Sequence, residues 1–332
     1  MYIVKTRAVL IVYLAVLTFF SGMMSVFGSQ ESKQQPRSYI LDVDMSTDVD
    51  DVCALRIANN YHNEGEIVLK AVMSSVTGEN NLKAIQGLMT YDGVTVPIGK
   101  SAVHIQDKSP YWDELAQYAS DEPDVEDAVT LYRKILSSSE SVNIVTTGYL
   151  TNLYHLLLSE PDDISMLSGV ELVAERCEQL YVTGGSDPDG CDNNFHFNAE
   201  AAEAAKYVTE HWPAPIIFFP NNVGGQLTCG AKLQEMDTEN EDPVTRALNA
   251  FGSTSGCVAW DPFAVYCAIN ELSEKCKAKL EPADMFIDED GENHIRYHEY
   301  GQHYVVRFAE EDMDIGAYNE ALDAVLVRES GK

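Results

Sequence analysis

"SYILDVDMSTDVDDVCALRIANNYHN", residues 38–63, is the stretch on which the fold turns. Its first seven residues, "SYILDVD", are dominated by Tyr39, Ile40, Leu41 and Val43, a short apolar run that reads as a buried strand. "DDVCALRIANNYHN", 50–63, reads as a helix begun by acidic residues at its positive end. The same rhythm follows. "IVLKAVMSSV" (67–76) predicts a strand, "ENNLKAIQGLMTYDG" (79–93) a helix with Leu82, Ile85, Leu88 and Met89 at helical spacing, and "VTVPIGK" (94–100) a third strand. Strands alternating with helices imply crossover units, hence an α/β fold with an open, largely parallel sheet and flanking helices, Rossmann-like in architecture.

Downstream the pattern resumes after an acidic interval. "PYWDELAQYAS" and "DVEDAVTLYRKILSSS" predict helices, "VNIVTTGYL" a strand and turn, and "TNLYHLLLSEP" a helix capped by Thr151 and stopped near Pro161. "QLYVTGG" predicts a strand, "NAEAAEAAKYVTEHW" a helix capped by Asn198, and "APIIFFPNNVGG" a strand ending in a polar loop. "GCVAWDPFAVYCAINEL" joins a loop to an apolar helix, "HIRYHEYGQHYVVRFAEED" suggests antiparallel strands, and "DIGAYNEALDAVLVRES" a last helix. No linker or repeat calls for a second domain within 38–332. Polar residues fall where strands end and helices begin, the edge where open parallel sheets collect ligands.

The chain has 53 Asp and Glu against 22 Lys and Arg, a formal charge of -31. A field of that sign repels nucleic acid and anionic membrane surfaces and tolerates cations, so no nucleic-acid partner is expected. At the amino terminus, Lys5 and Arg7 precede an apolar run from Ala8 to about Phe20 and then smaller residues. Residues 1–29 therefore read as a secretory signal peptide or, with enough apolar length to span a bilayer, as an uncleaved membrane anchor; 30–37 are a polar spacer. The expected location is secreted or extracytoplasmic, with a membrane-anchored form as the alternative. Self-association is left open. Seven Cys are too few for a disulfide scaffold, and their spacings make no zinc pattern, although export would permit disulfides.

Asp42, Asp44, Asp48, Asp50 and Asp51 lie within ten positions. Asp42 and Asp44 have one side parity on the first strand, while Asp50 and Asp51 open the helix. Hard oxygen ligands converging there suit calcium, which accepts about 6–8 oxygens, with magnesium as the nearest rival. It is no EF-hand: counted from Asp42, the sixth position is Thr47 instead of Gly and the twelfth Cys53 instead of Glu. Acidic helix starts are common without any metal, but that habit does not explain Asp42 and Asp44, which precede the helix.

Together, "ILDVDMSTDVDD", "TTGYLTNL", "DNNFHFNAEAA" and "AWDPFAV" resemble the inosine–uridine-preferring nucleoside hydrolase family, as a divergent member, in the family's order from residue 39 to about 270. The resemblance implies a parallel-sheet fold, a calcium ion deep in a ribose pocket, and hydrolysis of the N-glycosidic bond of ribonucleosides to free base and ribose. By motif, Asp44 resembles the metal-linked general base, Asp51 the bidentate calcium ligand, Thr147 the residue whose carbonyl reaches calcium, and Asp261 the final calcium ligand. Asp50, Asn80, Asp192 and Asn194 resemble the sugar-binding groups, with Asp42 and Asp48 in support. The chain departs from the family pattern in two extra residues between Asp44 and the Asp50–Asp51 pair. It departs again at Trp260, which stands where many members have a His that protonates a purine leaving group. Trp offers no such acid, but its ring can stack on a base or fill apolar space beside Phe263.

A small-molecule nucleoside is the substrate this resemblance implies. Another ribosyl substrate, or binding without turnover in a secreted protein, are the alternatives. His294, His298 and His303 do not establish a zinc site by spacing, and neither a dinucleotide fingerprint nor a Ser/His/Asp or Cys/His pattern is present.

Overall fold

A computed structural model of the protein describes residues 35–103, 108–119, 123–272, 276, 278–308 and 314–328. The chain divides into two units, Met1–Gln35 and Pro36–Lys332. The expected leader, 1–29, and most of the spacer lie outside the described residues. No described helix is long and apolar enough to cross a membrane.

Thirteen strands are described: β1 (Arg37–Val43), β2 (Ile67–Ser74), β3 (Ile98–Lys100), β4 (Val125–Asp127), β5 (Val142–Thr146), β6 (Cys177–Thr183), β7 (Asp189–Cys191), β8 (Ile216–Phe219), β9 (Thr228–Cys229), β10 (Cys257–Val258), β11 (Lys279–Ile287), β12 (Glu292–Tyr297) and β13 (His303–Arg307). Eleven form one sheet in the order β4-β3-β2-β1-β5-β6-β8-β13-β11-β12-β7, and β9 and β10 form a separate ribbon. From β4 to β13 every neighbour is parallel, and β11, β12 and β7 continue the sheet antiparallel.

Alternation along β1 feeds both faces of the sheet. Tyr39, Leu41 and Val43 join one apolar cluster, and Ile40 the other. With both faces covered by helices, the central strands read as apolar runs, as parallel strands must. The helix Asp50–Asn63 starts and stops where the sequence indicates, closing against β2 through the Glu64–Gly65 turn.

Three expectations change. Only Ile98–Lys100 of "VTVPIGK" pairs as strand, because Pro97 has no N–H to give the ladder. Residues 125–127 form β4, and the helix after it begins at Ala128 with Asp127 as its cap. Thr151 lies inside its helix: Leu150 is the cap residue and contributes no side-chain hydrogen bond. Asn198 does cap the helix Ala199–His211, its side chain accepting from the Ala201 N–H at 2.9 Å. The three histidines of the tail go separate ways, His294 to Asp189, His298 to Asp284, and His303 into the core to accept from the Ile216 N–H.

Candidate functional site

The parallel strands β1, β5, β6 and β8 end side by side, and their carboxyl ends frame a cavity of about 290 Å³. Asp44 follows β1, Thr147 follows β5, Thr183 ends β6, and Asn221 lies just beyond β8. Asp48, Asp50, Asp51, Asp192, Asn194, Trp260 and Asp261 also line it. Among the described residues the wall contains no Lys, Arg or His.

The loop after β1 positions the acids. Asp44 lies past the end of the strand, and Met45 adopts φ 45°, a left-handed conformation that a side chain of its size takes only when surroundings enforce it. The enforcement is visible. The Met45 N–H donates to Asp51 Oδ2 at 2.8 Å, and the Trp112 indole N–H to the Met45 carbonyl at 2.6 Å. Asn81 Nδ2 donates to the carbonyls of Asp44 and Met45, at 2.9 and 3.2 Å, while its Oδ1 accepts from Ser74 Oγ. The strand parity expected for Asp42 and Asp44 is broken by this turn. Asp44 enters the cavity, whereas Asp42 turns under the sheet, taking hydrogen bonds from the Tyr132 hydroxyl at 2.8 Å and Asn152 Nδ2 at 3.0 Å. Burial pushes the Asp42 carboxyl up to about 7 against those two bonds.

Gly148 lets the β5 loop come close enough. A Cβ there would lie 2.5 Å from Ser75 Oγ and 2.7 Å from the Asp44 nitrogen. Thr147 thus reaches the acids through its hydroxyl, which donates to Asp51 Oδ1 at 2.6 Å. Its carbonyl, the group expected to face a metal, accepts from Asn194 Nδ2 at 3.0 Å and keeps a second lone pair. Asp44 and Asp51 share a hydrogen bond, and Asp50 Oδ2 accepts from the Asp261 N–H at 3.0 Å.

Electrostatically the site is one-sided. Burial, and then neighbouring carboxyls, hold Asp44, Asp50 and Asp261 well above the ordinary carboxylate range. Asp51 is raised by burial despite its hydrogen bonds from Asp44, Thr147 and Met45. Asp192, capping Asn193–His196, is raised to about 6 by burial against bonds from Asn194, Asn221 and Gly185. An uncompensated buried charge costs several kcal/mol, so each acid here either holds a proton or faces a cation.

Besides Asp42, Asn80 is the expected site residue that does not line the cavity. It is exposed and donates to Asp113 Oδ1 at 3.0 Å, while the adjacent Asn81 is fully buried beneath the Asp44 loop. Trp260 is half-buried, its indole N–H donating to the Asn221 carbonyl at 2.8 Å and its backbone packed against Gly224. Asp48 is half-buried in the wall, its carboxyl accepting from the Val49 N–H at 2.8 Å. Residues not singled out from sequence include Asn221, Asn193, Thr47 and Thr183. Thr183 Oγ1 is buried in the wall with no hydrogen-bond partner among the described residues, a group that a bound molecule would satisfy.

Among the described residues, the His, Cys, Asp or Glu ligand atoms that gather in threes within 4.8 Å are thiols, those of Cys53, Cys229 and Cys257, and not carboxylates. Spacing along the chain gave no hint of them. All seven cysteines are free.

Comparison with known proteins adds the family. The sequence pattern of the inosine-uridine preferring nucleoside hydrolases matches residues 39–318. Among curated proteins none matches. The fold is shared with the crystal structure of the inosine-uridine preferring nucleoside hydrolase of Bacillus anthracis, at 14% identity and TM-score 0.63 over 87% of this chain and 99% of that one. An inosine-guanosine nucleoside hydrolase matches at 17% identity and TM-score 0.64, covering 87% and 98%. The type III effector XopQ, solved with adenosine diphosphate ribose, matches at 14% identity and TM-score 0.63, covering 88% and 94%. Identities this low speak for the fold alone, but the family pattern spans most of the chain. This protein belongs to the inosine-uridine preferring nucleoside hydrolase family, as a divergent member.

Proposed function

We propose that the protein hydrolyses the N-glycosidic bond of ribonucleosides in the cavity at the ends of β1, β5, β6 and β8. The observation that carries this reading is the set of buried carboxyls, Asp44, Asp50, Asp51 and Asp261, converging on one cavity that no basic side chain lines among the described residues. The donor set is all oxygen, which fits a hard cation, and the six-to-eight-ligand habit of calcium fits it better than the strict octahedron of magnesium. Asp44, Asp51, Asp261 and the Thr147 carbonyl are the groups that would hold it. Calcium would supply the positive charge that keeps these acids ionised and an anchor for sugar hydroxyls.

The chain's own groups divide the remaining work. Asp44, ionised, accepts the proton of a water approaching the sugar carbon, and general-base assistance of this kind contributes roughly 10²–10⁴ in rate. Asp50, Asp192 and Asn194 meet the sugar hydroxyls as acceptors, the carboxylates and the Asn194 Oδ1 alike, since the Asn194 Nδ2 protons go to the carbonyls of Thr147 and Thr183. Positive charge developing on the ribose ring is stabilised by the fixed carboxylates around it. At the outer wall the Trp260 ring offers a stacking face to the base.

The wall also bears on substrate class. With no Lys or Arg lining it, nothing in the described cavity would meet a diphosphate, so a neutral nucleoside is favoured over a nucleotide-like ribosyl compound. A second reading, binding without turnover, is favoured by one feature: Trp260 occupies the position next to Asp261 and brings no titratable acid for the departing base.

A panel of purine and pyrimidine ribonucleosides with their 2′-deoxy counterparts, supplied with calcium and read out as free sugar, tests both. Ribose release that falls for the deoxy forms supports hydrolysis. A silent panel in which a nucleoside still raises the melting temperature supports binding alone.

A further inference from the structure

Behind the acidic cavity three thiols converge from three elements. Cys53 projects from the helix Asp50–Asn63, Cys229 ends β9, and Cys257 opens β10. The β9–β10 ribbon is only two residues a side, and its antiparallel register sets Cys257 directly opposite Cys229. All three sulfurs lie within 4.8 Å of one another, with Cys53 Sγ 3.9 Å from Cys257 Sγ. The residues are 0%, 1% and 7% exposed, and none lines the acidic cavity. Gly256, at φ 72°, turns the chain tightly into β10: a Cβ there would sit 2.3 Å from the Cys229 carbonyl oxygen.

These distances suit a particular kind of ion. A metal bonded to three sulfurs in a plane at about 2.3 Å holds them about 4.0 Å apart (2.3 × √3), and the Cys53–Cys257 separation already meets that spacing. Thiolates select soft ions, copper(I) and zinc foremost. Structural zinc takes four ligands, but no carboxylate or imidazole joins this group among the described residues.

We propose that Cys53, Cys229 and Cys257 form a three-thiolate site for copper(I). On binding, three copper–sulfur bonds form, each ligating thiol gives its proton to solvent, and the metal's oxidation state does not change. The placement gives the site a structural consequence. Cys53 is two residues beyond Asp51 and Cys257 four residues before Asp261, so the ion ties together two segments that supply the acidic cavity. The proposal stands on the thiols alone and does not depend on the activity assigned to the cavity.

The test is an anaerobic titration of the reduced full chain with copper(I) against a chromophoric copper(I) chelator, with calcium in excess. Wild-type protein is expected to withhold one equivalent per chain, Cys191→Ser to do the same, and Cys53→Ser, Cys229→Ser and Cys257→Ser each to withhold none. Because a buried serine can itself destabilise the fold, wild-type protein is also melted with and without one equivalent, and its melting temperature is expected to rise. Either of two results overturns the proposal: wild-type protein that withholds no copper, or equal retention by all the variants.

Discussion

Asn80 and Asn81 are neighbours with opposite fates, and the contrast shows what decides a site residue. The buried side chain of Asn81 ties the Asp44–Met45 turn to Ser74, whereas Asn80 makes one surface bond to Asp113. Asn81→Ala takes the side-chain donor from the buried Asp44 carbonyl, while the Met45 carbonyl keeps Trp112 and the Ser74 hydroxyl keeps Val76, and is expected to cost about 1–3 kcal/mol. Asn80→Ala should stay within about 0.5 kcal/mol. Urea unfolding of the two variants checks the pair, and equal losses would refute the bracing role. The helix phase did carry the answer: Asn81 lies at i, i+4, i+7 with Ile85 and Leu88, which face the core. Asp44, Asp50 and Asp51 were legible for a different reason, being charges set among residues that bury, and Asp261 through the resemblance of "AWDPFAV" to the family motif. Thr183 and Asn221 were not, since a threonine and an asparagine at strand ends look like any turn. For Asp44→Asn, the proposed base role predicts a loss of roughly 10²–10⁴ in turnover with the fold intact, checked by ribose release and circular dichroism.

Elements meet where the sequence could not place them. The β5 loop touches the β1 loop only because Gly148 has no side chain, so Gly148→Ala must push Asp44 or Ser75 aside. Such overpacking is expected to cost about 1–3 kcal/mol and to lower activity more than a surface change of similar cost, measured as turnover beside denaturant midpoint. "TTGYLTNL" marked the loop, but its partner 100 residues upstream is a matter of sheet order. The sharp turn at Met45 likewise undid the parity of Asp42 and Asp44, because alternation holds only inside a strand. Farther along the helix Asp50–Asn63, Arg56 is buried between Asp92 and Asp242, with its Nε 2.8 Å from one Asp92 oxygen and its Nη1 3.0 Å from Asp242. Burial still raises Asp92 to about 6, outweighing the Arg56 charge that lowers it. Arg56→Met strands that carboxyl, and a loss of about 3–5 kcal/mol is expected in equilibrium unfolding at neutral pH.

Across the whole molecule, the parallel half of the sheet was readable because its strands are apolar runs separated by helices of ordinary length. The antiparallel strands were less so: β7 at the sheet edge is three residues long, β9 and β10 of the separate ribbon are two each, and β11 mixes Lys, Glu and Asp with its apolar positions. The balance of charge makes its own prediction. Asp42 at about 7 and Asp192 at about 6 are raised above the unfolded value of about 3.9. Their contribution to stability is therefore fully present below about pH 4 and is lost as pH rises through 6 to 7. Asp44, Asp50 and Asp261 shift in the same direction, and the charge of -31 adds repulsion of the same sign. In chelator, the melting temperature should fall between pH 4.5 and 7.5, and calcium should flatten that fall. A melting temperature that climbs with pH in chelator would mean the acids are paired with something not yet seen. The most direct measurement is a calorimetric titration of the chelator-treated protein with calcium at neutral pH. The account predicts one ion per chain, bound with release of protons, and no uptake by Asp51→Asn. A folded wild-type protein that takes up no calcium, or an Asp51→Asn variant that binds it as well, would contradict it.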